Sequence, residues 1–448
     1  MWPESSHIRD SLMYGQNWAV EPIRSWFTES RRIASWLEIL GAIAQAQADI
    51  GAVPRVAADD IAQTCAHGIS DLGRVAECSH ATGHSTAGLL EAVRGLVRPE
   101  HARYVGLGTS VQDIADTWTA LTMKLTAERL EQDLGALAGQ LASGAARHRD
   151  TVMLARTHGQ PGAPVTFGFK QAQWGAELAR HRSRLAEGRP RWETAQLGGS
   201  VGSLAFWGAG APGLLAAFAR RVGLQAPVLP WGSARDCVAE FGQFAALVGA
   251  TLAKIGNEVY QLQRPEIDEL SEPATGEQIG SVTMPHKRNP ERSEQLVTLG
   301  RLLRAHASVL LEGAVTEHER DGRGWKAEWV ALPDVCCAVT CASALCTDLL
   351  AGLEVHVDRM RANVEAAGGL ALSEHAVRVL EPRLGLPAAY RAVRRAVLAT
   401  RAGEFNDLAG ALAAAQDDEP AGLADPRAAA ASATAFADEW VRRADPGS

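Results

Sequence analysis

Residues 241–262, FGQFAALVGATLAKIGNEVYQL, form the stretch that decides the fold class. Apolar side chains recur along it at steps of three or four residues: Phe241, Phe244, Val248, Leu252, Ile255, Val259 and Leu262. This spacing predicts a long α-helix with one apolar face. Long proline-free stretches also separate Pro99 from Pro161 and Pro290 from Pro333. Because helices of such length are stabilised mainly by packing against one another, the sequence predicts an all-α helix bundle without a sheet.

Length, composition and charge exclude several classes of protein. The chain has 448 residues, of which 46% are hydrophobic and 21% charged, as in a globular protein of two or three domains rather than a disordered chain. The net charge of −8 gives no general attraction to nucleic acid or to anionic lipid. No uncharged apolar run approaches the ~20 residues that span a bilayer. We therefore predict neither nucleic acid nor a membrane as a partner.

The cysteines indicate a reducing compartment. Their number, seven, is odd, and the N-terminal stretch MWPESSH lacks the basic and apolar regions of a secretory signal. Both features predict a cytoplasmic protein. Cys337 and Cys341 lie four residues apart on a predicted helix, but no histidine or further close cysteine pair completes a tetrahedral metal site. We predict that they are core residues and that the protein needs no metal.

The segment Gly280–Pro290, GSVTMPHKRNP, concentrates hydroxyl, cationic and amide side chains between prolines. The prolines exclude a regular helix, so the segment is predicted to be a loop. One interpretation is an ordinary solvated surface loop. The other is a loop that closes over a small anion, with Lys287 and Asn289 on its carboxylate and a nearby serine as the reacting group.

This segment resembles the signature loop of the fumarase/aspartase superfamily, Gly-Ser-Ser-x-Met-Pro-x-Lys-x-Asn, with Val282 in place of the second serine. Residues 108–117, GTSVQDIADT, and 156–161, RTHGQP, resemble two further signature regions of that superfamily and occur in the same order. Residues 36–54 and 359–363 also fit its pattern. The resemblance therefore spans nearly the whole chain.

The resemblance implies an all-α subunit of three domains. These are an N-terminal helical domain over residues 1–110, a central long-helix bundle over 111–350 and a small helical domain over 351–448. Proteins of this superfamily assemble through the central bundle into homotetramers, and each active site takes one signature region from each of three subunits. The implied reaction is a β-elimination on a small dicarboxylate, usually the release of fumarate from a substituted succinate, without an organic cofactor.

The resemblance also implies roles for individual residues. Ser281 matches the catalytic base, His158 matches the residue on the leaving-group side, and Glu294 matches a glutamate that pairs with this histidine. The proton removed lies next to a carboxylate, so the carbanion needs a cation and neutral donors at the carboxylate oxygens. The residues that match such carboxylate binders are Thr109, Ser110, Thr157, Lys287 and Asn289. Further predicted substrate-binding residues are Gln160, His84, Arg235 and Arg320.

Two further segments indicate the branch of the superfamily. Residues 317–320, EHER, and 324–329, GWKAEW, resemble the 3-carboxy-cis,cis-muconate cycloisomerase branch. Adenylosuccinate lyases share the first segment, but the Ser-Ser-x-x-Arg stretch that follows in them is missing here. Residues 230–236, PWGSARD, resemble the Trp-His-x-Gln-Arg-Asp of the cycloisomerases, with Gly232 and Ala234 at the His and Gln positions.

The same branch includes lyases of secondary metabolism that act on small N-substituted succinates such as nitrosuccinate. We predict a lyase of this kind, which cleaves a carbon–nitrogen bond. A muconate cycloisomerase is the main alternative, and an adenylosuccinate lyase is another. The non-enzymatic alternative is a structural protein recruited from the superfamily, against which the intact candidate residues argue: Ser281, Lys287, Asn289, His158 and Glu294.

Overall fold

The computed structural model describes residues 7–84, 86–274, 280–415 and 424–444. Helices dominate these residues, which confirms the all-α fold class. The helices before residue 110 are α1 (Ile23–Trp26), α2 (Glu29–Asp49), α3 (Arg55–His67), α4 (Leu72–Thr82) and α5 (Ala87–Leu96). The middle of the chain forms α6 (Val111–Arg147), α7 (Phe167–Trp192), α8 (Ala211–Val222), α9 (Asp236–Leu262), α10 (Glu291–Glu312) and α11 (Gly322–Ala351).

The C-terminal part of the chain consists of shorter helices. They are α12 (Val357–Ala366), α13 (Ser373–Leu384), α14 (Leu386–Arg401), α15 (Leu408–Ala414), α16 (Pro426–Ala429) and α17 (Ala431–Ala444). Helices α13, α14 and α15 share a small apolar core that includes Leu380, Val393 and Leu412. Short 3₁₀ turns occur at Ile8–Asp10, Gly15–Asn17, Ala102–Tyr104, Ala205–Gly210 and Leu370–Leu372.

The prediction that no sheet is present is wrong, because two short strand pairs occur in the described residues. Strands β1 (Val152–Thr157) and β2 (Gln160–Thr166) form an antiparallel hairpin, and β3 (Leu270–Ser271) pairs with β4 (Glu354–Val355). The hairpin shows no strict alternation in sequence because its register shifts between Leu154 and Arg156, where β2 has one extra residue. Prolines occur in β2, which a two-stranded sheet tolerates because each strand has a free edge.

Helices α9 and α10 run antiparallel at very close distance. A Cβ atom added to Gly242 would lie within 3 Å of Leu310, and one added to Gly249 would lie within 3 Å of Leu303. Both glycines belong to the stretch that predicted the bundle, and they are seven residues apart, as are the leucines that face them. The missing side chains allow the helices to approach, and leucines fill the space between them.

The backbone contacts divide the chain into two compact units. The first contains Met1–Gln132, Arg182–Ala250 and Thr298–Ala344, and the second contains Asp133–His181, Thr251–Val297 and Leu345–Ser448. The division falls within the long helices. The three-domain division, with boundaries near residues 110 and 350, stays a prediction.

Helices α9 and α11 are long and apolar enough to cross a membrane by length and composition alone. In each of them, 72% of the most apolar stretch is buried inside the protein, which is the pattern of a core helix. Cys337 and Cys341 lie in α11 and are buried, as predicted for core residues. Burial raises the pKa of both thiols, so neither is a reactive thiolate at neutral pH.

Candidate active site

His158 lies at the tip of the hairpin of β1 and β2. Thr157 pairs with Gln160, which leaves a two-residue connection of His158 and Gly159. Both residues have positive φ, +54° and +75°, as a type I′ turn requires. The turn twists with the strands and holds the imidazole out from the hairpin, where Thr157, His158 and Gln160 are all exposed. Sequence alone identified this histidine but not the strained turn that presents it.

A buried ion pair fixes the base of this hairpin. The Arg156 guanidinium donates to both carboxylate oxygens of Glu269, at 2.8 and 2.7 Å, and Glu269 is 0% exposed. The Asn363 amide donates to the same carboxylate at 2.8 Å and to the Ile267 carbonyl at 2.8 Å. Arg156 is the second residue before His158, so this network fixes the strand that leads into the turn. Asn363 belongs to the C-terminal segment that resembles the superfamily.

The signature loop is closed at its base and exposed along its length. A Cβ atom on Gly280 would lie 2.5 Å from the Lys287 carbonyl oxygen, so only glycine allows this approach of the two backbone segments. The Ser281 hydroxyl accepts a hydrogen bond from the Met284 backbone N–H at 3.1 Å, and the Lys287 N–H donates to the Met284 carbonyl at 2.9 Å. Ser281 is half-buried, whereas residues 282–288 are exposed.

Helix α10 starts where the loop ends, and a distant carboxylate caps it. The buried Glu272 accepts hydrogen bonds from the backbone N–H groups of Arg292, at 3.1 Å, and Ser293, at 2.7 Å. It takes the place of a local capping residue at the first turn. Asn289 donates to the Glu291 carboxylate at 3.2 Å, and Glu294 is exposed in the same first turn. No local sequence pattern indicates this role of Glu272, because it lies about 20 residues before the helix that it caps.

Ser110 and Asp113 form a capping box at the start of helix α6. The Ser110 hydroxyl accepts from the Gln112 N–H at 3.2 Å, while the Ser110 N–H donates to the Asp113 carboxylate at 2.7 Å. Asp113 also accepts from the backbone N–H groups of Gly198, at 2.6 Å, and Gly199, at 3.1 Å. This buried carboxylate thus joins two glycine-containing loops of the first unit. Sequence analysis missed it, although the Ser-x-x-Asp spacing is a recognisable capping signal.

The pKa of the Asp113 carboxyl group is raised above its ordinary value. Burial raises its pKa to about 7, although three backbone N–H donors favour the ionised form. The neighbouring Asp116 also raises it. Asp113 therefore titrates in the neutral range in the folded protein.

The remaining predicted residues of the first unit surround these loops. Thr109 is half-buried, and its hydroxyl donates to the Gly106 carbonyl at 2.9 Å. Arg320 is exposed, and its guanidinium donates to the Gly199 carbonyl at 2.9 Å. Asp113 and Gly199 therefore connect Ser110 and Arg320 to a common loop. His84 is exposed just after the left-handed Gly83 that ends helix α4, and no contact connects it to that loop in the described part of the chain.

The structure corrects the substrate-binding role predicted for Arg235. This side chain is 1% exposed and makes four hydrogen bonds to two buried carboxylates, those of Asp116 and Glu328, which are 0% and 3% exposed. Trp325 donates to Asp116 as well, at 2.9 Å. Burial alone would lower the pKa of Arg235, but the two carboxylates outweigh it and raise this pKa. Arg235 is therefore a structural residue that neutralises two acids inside the first unit.

The predicted residues belong to both compact units. One group comprises Thr109, Ser110 and Arg320 around the loop at Gly198. The hairpin with His158 and the signature loop with Ser281 both belong to the second unit, and in the described residues no hydrogen bond joins these two side chains. The predicted pairing of Glu294 with the histidine, like the other predicted contacts with substrate, stays a prediction. No group of three or more metal-binding side chains occurs among the described residues.

Comparisons with known proteins agree with these motifs. A family model described as "Lyase" matches residues 16–302. The N-acetyl-S-(2-succino)cysteine lyase of Dickeya dadantii (strain 3937) is 35% identical over 87% of this chain and 86% of its own length. The nitrosuccinate lyase of Streptomyces davaonensis is 34% identical over 92% of this chain and 88% of its own length.

A solved structure shares the fold over nearly the full length. The crystal structure of 3-carboxy-cis,cis-muconate lactonizing enzyme from Pseudomonas putida superposes with a TM-score of 0.89 at 32% identity, covering 97% of this chain and 99% of that chain. The range of the family model, residues 16–302, contains all three signature regions, and their resemblance to the superfamily is confirmed. The chain therefore belongs to the lyase family of the fumarase/aspartase superfamily.

Proposed function

We propose that this enzyme cleaves a carbon–nitrogen bond in a small N-substituted succinate such as nitrosuccinate, with release of fumarate. The observation that carries the proposal is the signature loop, which presents Ser281 at its half-buried base and Lys287 on its exposed part. A serine activated as a base and a cation for the developing negative charge are the two groups that this elimination needs first.

The reaction follows from the chemistry of these groups. The Ser281 alkoxide removes the proton next to a carboxylate, and Lys287 and Asn289 stabilise the carbanion as it delocalises into that carboxylate. The electron pair then forms the carbon–carbon double bond while the carbon–nitrogen bond breaks. In this proposal His158 acts on the leaving-group side and donates a proton to a leaving group that requires one. The chain supplies all these groups itself, so we propose that no metal or organic cofactor is needed.

We also propose that the active site is shared among three subunits of a homotetramer. His158 and Lys287 are exposed and Ser281 is half-buried. In the described part of one chain no hydrogen bond connects His158 to Ser281, as expected for a site that partner subunits complete. The first signature region would then bring Thr109 and Ser110 to the substrate carboxylate from another subunit.

The names of the relatives are consistent with more than one leaving group on the succinate. The nitrosuccinate lyase supports a nitrogen substituent, and the N-acetyl-S-(2-succino)cysteine lyase supports a sulfur substituent on the same succinate. The similarity to a lactonizing enzyme keeps cycloisomerisation of a carboxymuconate as the other candidate. Against it, Gly232 stands at the position of the cycloisomerase histidine, and a Cβ atom there would lie 2.9 Å from the Gln196 amide nitrogen, so a histidine would require the Gln196 side chain to move.

Parallel assays with the three substrates test the proposal. Nitrosuccinate and N-acetyl-S-(2-succino)cysteine are followed by fumarate absorbance, and the carboxymuconate by lactone formation. We expect turnover of nitrosuccinate that survives prolonged dialysis against a chelator. Lactone formation without fumarate release from either succinate would establish the cycloisomerase, and a stable tetramer without any turnover would support the structural protein.

The role of Ser281 is tested by Ser281→Ala, with Thr283→Ala as the matched control on the same loop. The alanine at 281 should lower kcat by several orders of magnitude, because no base remains, while the exposed Thr283 should be replaceable. A Ser281→Ala enzyme that retains more than about a tenth of the wild-type kcat, a loss below ~1.4 kcal/mol in barrier, would exclude Ser281 as the base.

A further inference from the structure

The aromatic residues Phe206 and Trp207 lie next to the first signature region and have no role in the reaction described above. We propose that Trp207 is a specificity-determining residue, whose indole N–H donates a hydrogen bond to an oxygen atom of the leaving group. Phe206 forms the apolar wall beside that atom. This inference rests on the proposed elimination from a substituted succinate and names the chemistry of the substituent that the enzyme accepts.

The position of Trp207 follows from its contact with Gly108. A Cβ atom on Gly108 would lie 2.7 Å from Trp207 Nε1 and 2.8 Å from Phe206 Cδ1. Gly108 has a φ of +66° and directly precedes Thr109, the first of the predicted carboxylate binders. The nitrogen edge of the indole therefore lies against the backbone that leads into the candidate carboxylate site. Any larger residue at 108 would displace it.

The indole nitrogen lacks a partner. Trp207 Nε1 is buried, and within the described residues it has no hydrogen-bond acceptor. A buried donor without an acceptor costs free energy, which a ligand atom that accepts the hydrogen bond would recover. Indole N–H is a donor only, so its partner must be an acceptor. An ammonium substituent has no lone pair to offer, whereas nitro and acyl oxygens do.

The surrounding backbone holds Trp207 in place. The backbone N–H of Trp207 donates to the Leu204 carbonyl at 2.8 Å, and the backbone N–H of Leu204 donates to the Gly198 carbonyl at 2.8 Å. The Asp113 carboxylate joins the same loop to Ser110, because it accepts hydrogen bonds from the backbone N–H groups of both Gly198 and Ser110. The aromatic turn is therefore connected to the candidate carboxylate-binding loop by two main-chain hydrogen bonds and the Asp113 carboxylate, which is the support that an orienting residue requires.

Phe206 provides the second half of the recognition surface. Its ring packs edge-on against Trp207 with the centroids 5.0 Å apart, and it is 63% exposed. An exposed aromatic ring next to a buried donor suits a substituent that has an oxygen acceptor and an apolar or planar part. Both a nitro group and an S-linked N-acetylcysteine have this combination.

Ligand binding to a catalytically inactive enzyme tests the inference without turnover. In a Ser281→Ala background, calorimetry would compare nitrosuccinate, N-acetyl-S-(2-succino)cysteine and fumarate, which has no substituent. Trp207→Phe should weaken binding of at least one substituted succinate roughly tenfold and leave fumarate within about twofold, because only the former loses a hydrogen bond. Trp36→Phe is the matched control, since its buried Nε1 also lacks a partner but lies on helix α2.

Benzothienylalanine at position 207 keeps the shape of the ring and removes only the N–H. This variant replaces Trp207→Phe in the binding experiment if the phenylalanine variant folds poorly. It should show the same selective loss. An unchanged affinity for both substituted succinates, or an equal loss for fumarate, would overturn the inference and leave the elimination reaction standing. If the Ser281→Ala parent binds neither substituted succinate, the inference and the proposed function both fail.

Discussion

Replacement of Arg235 by methionine separates the structural role of this residue from the substrate-binding role that its sequence position suggested. Methionine has a similar length and no charge, so the substitution removes the four hydrogen bonds to Asp116 and Glu328 with little change in volume. Both carboxylates then stay buried without their cation. We expect a folded protein of much lower stability, with substrate affinity unchanged where it folds.

The magnitude follows from the burial of the three groups. Removal of one member of a buried ion pair costs about 3–5 kcal/mol, because the other charge loses its compensation. Here two carboxylates lose it at once, so we expect the upper end of that range. For a cooperative transition of a chain of this length, ~5 kcal/mol corresponds to a melting temperature roughly 5 °C lower.

The loss should depend on pH. Burial raises the pKa of Glu328 even in the presence of Arg235, and without the cation this pKa will rise further. A carboxyl group with a raised pKa in the folded state holds a proton that the unfolded chain has released. Stability therefore falls as the pH rises, and the deficit of the Arg235→Met variant should be larger at pH 8 than near pH 5.

Thermal and chemical unfolding at these two pH values are the assays, together with KM for the best substrate. Arg191→Met is the control, because Arg191 pairs with Glu240 at the surface, where the two side chains are 55% and 40% exposed. Such a pair contributes about 0–1 kcal/mol. If Arg235→Met were as stable as this control and raised KM tenfold or more, the structural reasoning would be refuted.

Three further predictions concern the two units and their assembly. Arg156→Met should leave Glu269 buried without its cation and lower the free energy of unfolding by about 3–5 kcal/mol, which an Arg156→Met/Glu269→Met double variant should largely restore; a double variant as unstable as the single would contradict this. Because burial raises the pKa of Asp113 to about 7, the free energy of unfolding should decrease as the pH rises from about 4 to about 7. Asp113→Asn should make this decrease smaller in unfolding experiments across that range; an unchanged decrease would exclude Asp113 as its source. Mixtures of Ser281→Ala and His158→Ala, each inactive alone, should regain activity once mass spectrometry shows subunit exchange; inactive mixed tetramers would place both residues of one site in one chain.

The features that sequence predicted well are those that depend on local spacing. The apolar period of residues 241–262 is a property of one helix, and helix α9 covers nearly the same residues. The signature loop was recognisable because two prolines and a glycine restrict its backbone. The capping box has the same local character, because Ser110 and Asp113 are three residues apart.

The features that sequence did not predict depend on partners far along the chain. Arg235 lies 119 residues from Asp116 and 93 from Glu328, so its burial could not be derived from its neighbours in sequence. Its conspicuous position in a family-like segment suggested a ligand contact instead. The hairpin was missed for a different reason, because a register shift next to Leu154 removes the alternation that identifies strands.

The left-handed turn at His158 has a consequence for how this protein can evolve. Asparagine adopts positive φ more readily than most other residues, and its codons differ from those of histidine by a single base. One mutation can therefore remove the imidazole and preserve the hairpin. With the catalytic role proposed for His158, the gene lies one step from encoding a well-folded protein without that activity. Recruitment of such a scaffold for a purely architectural task would need no repair of the fold.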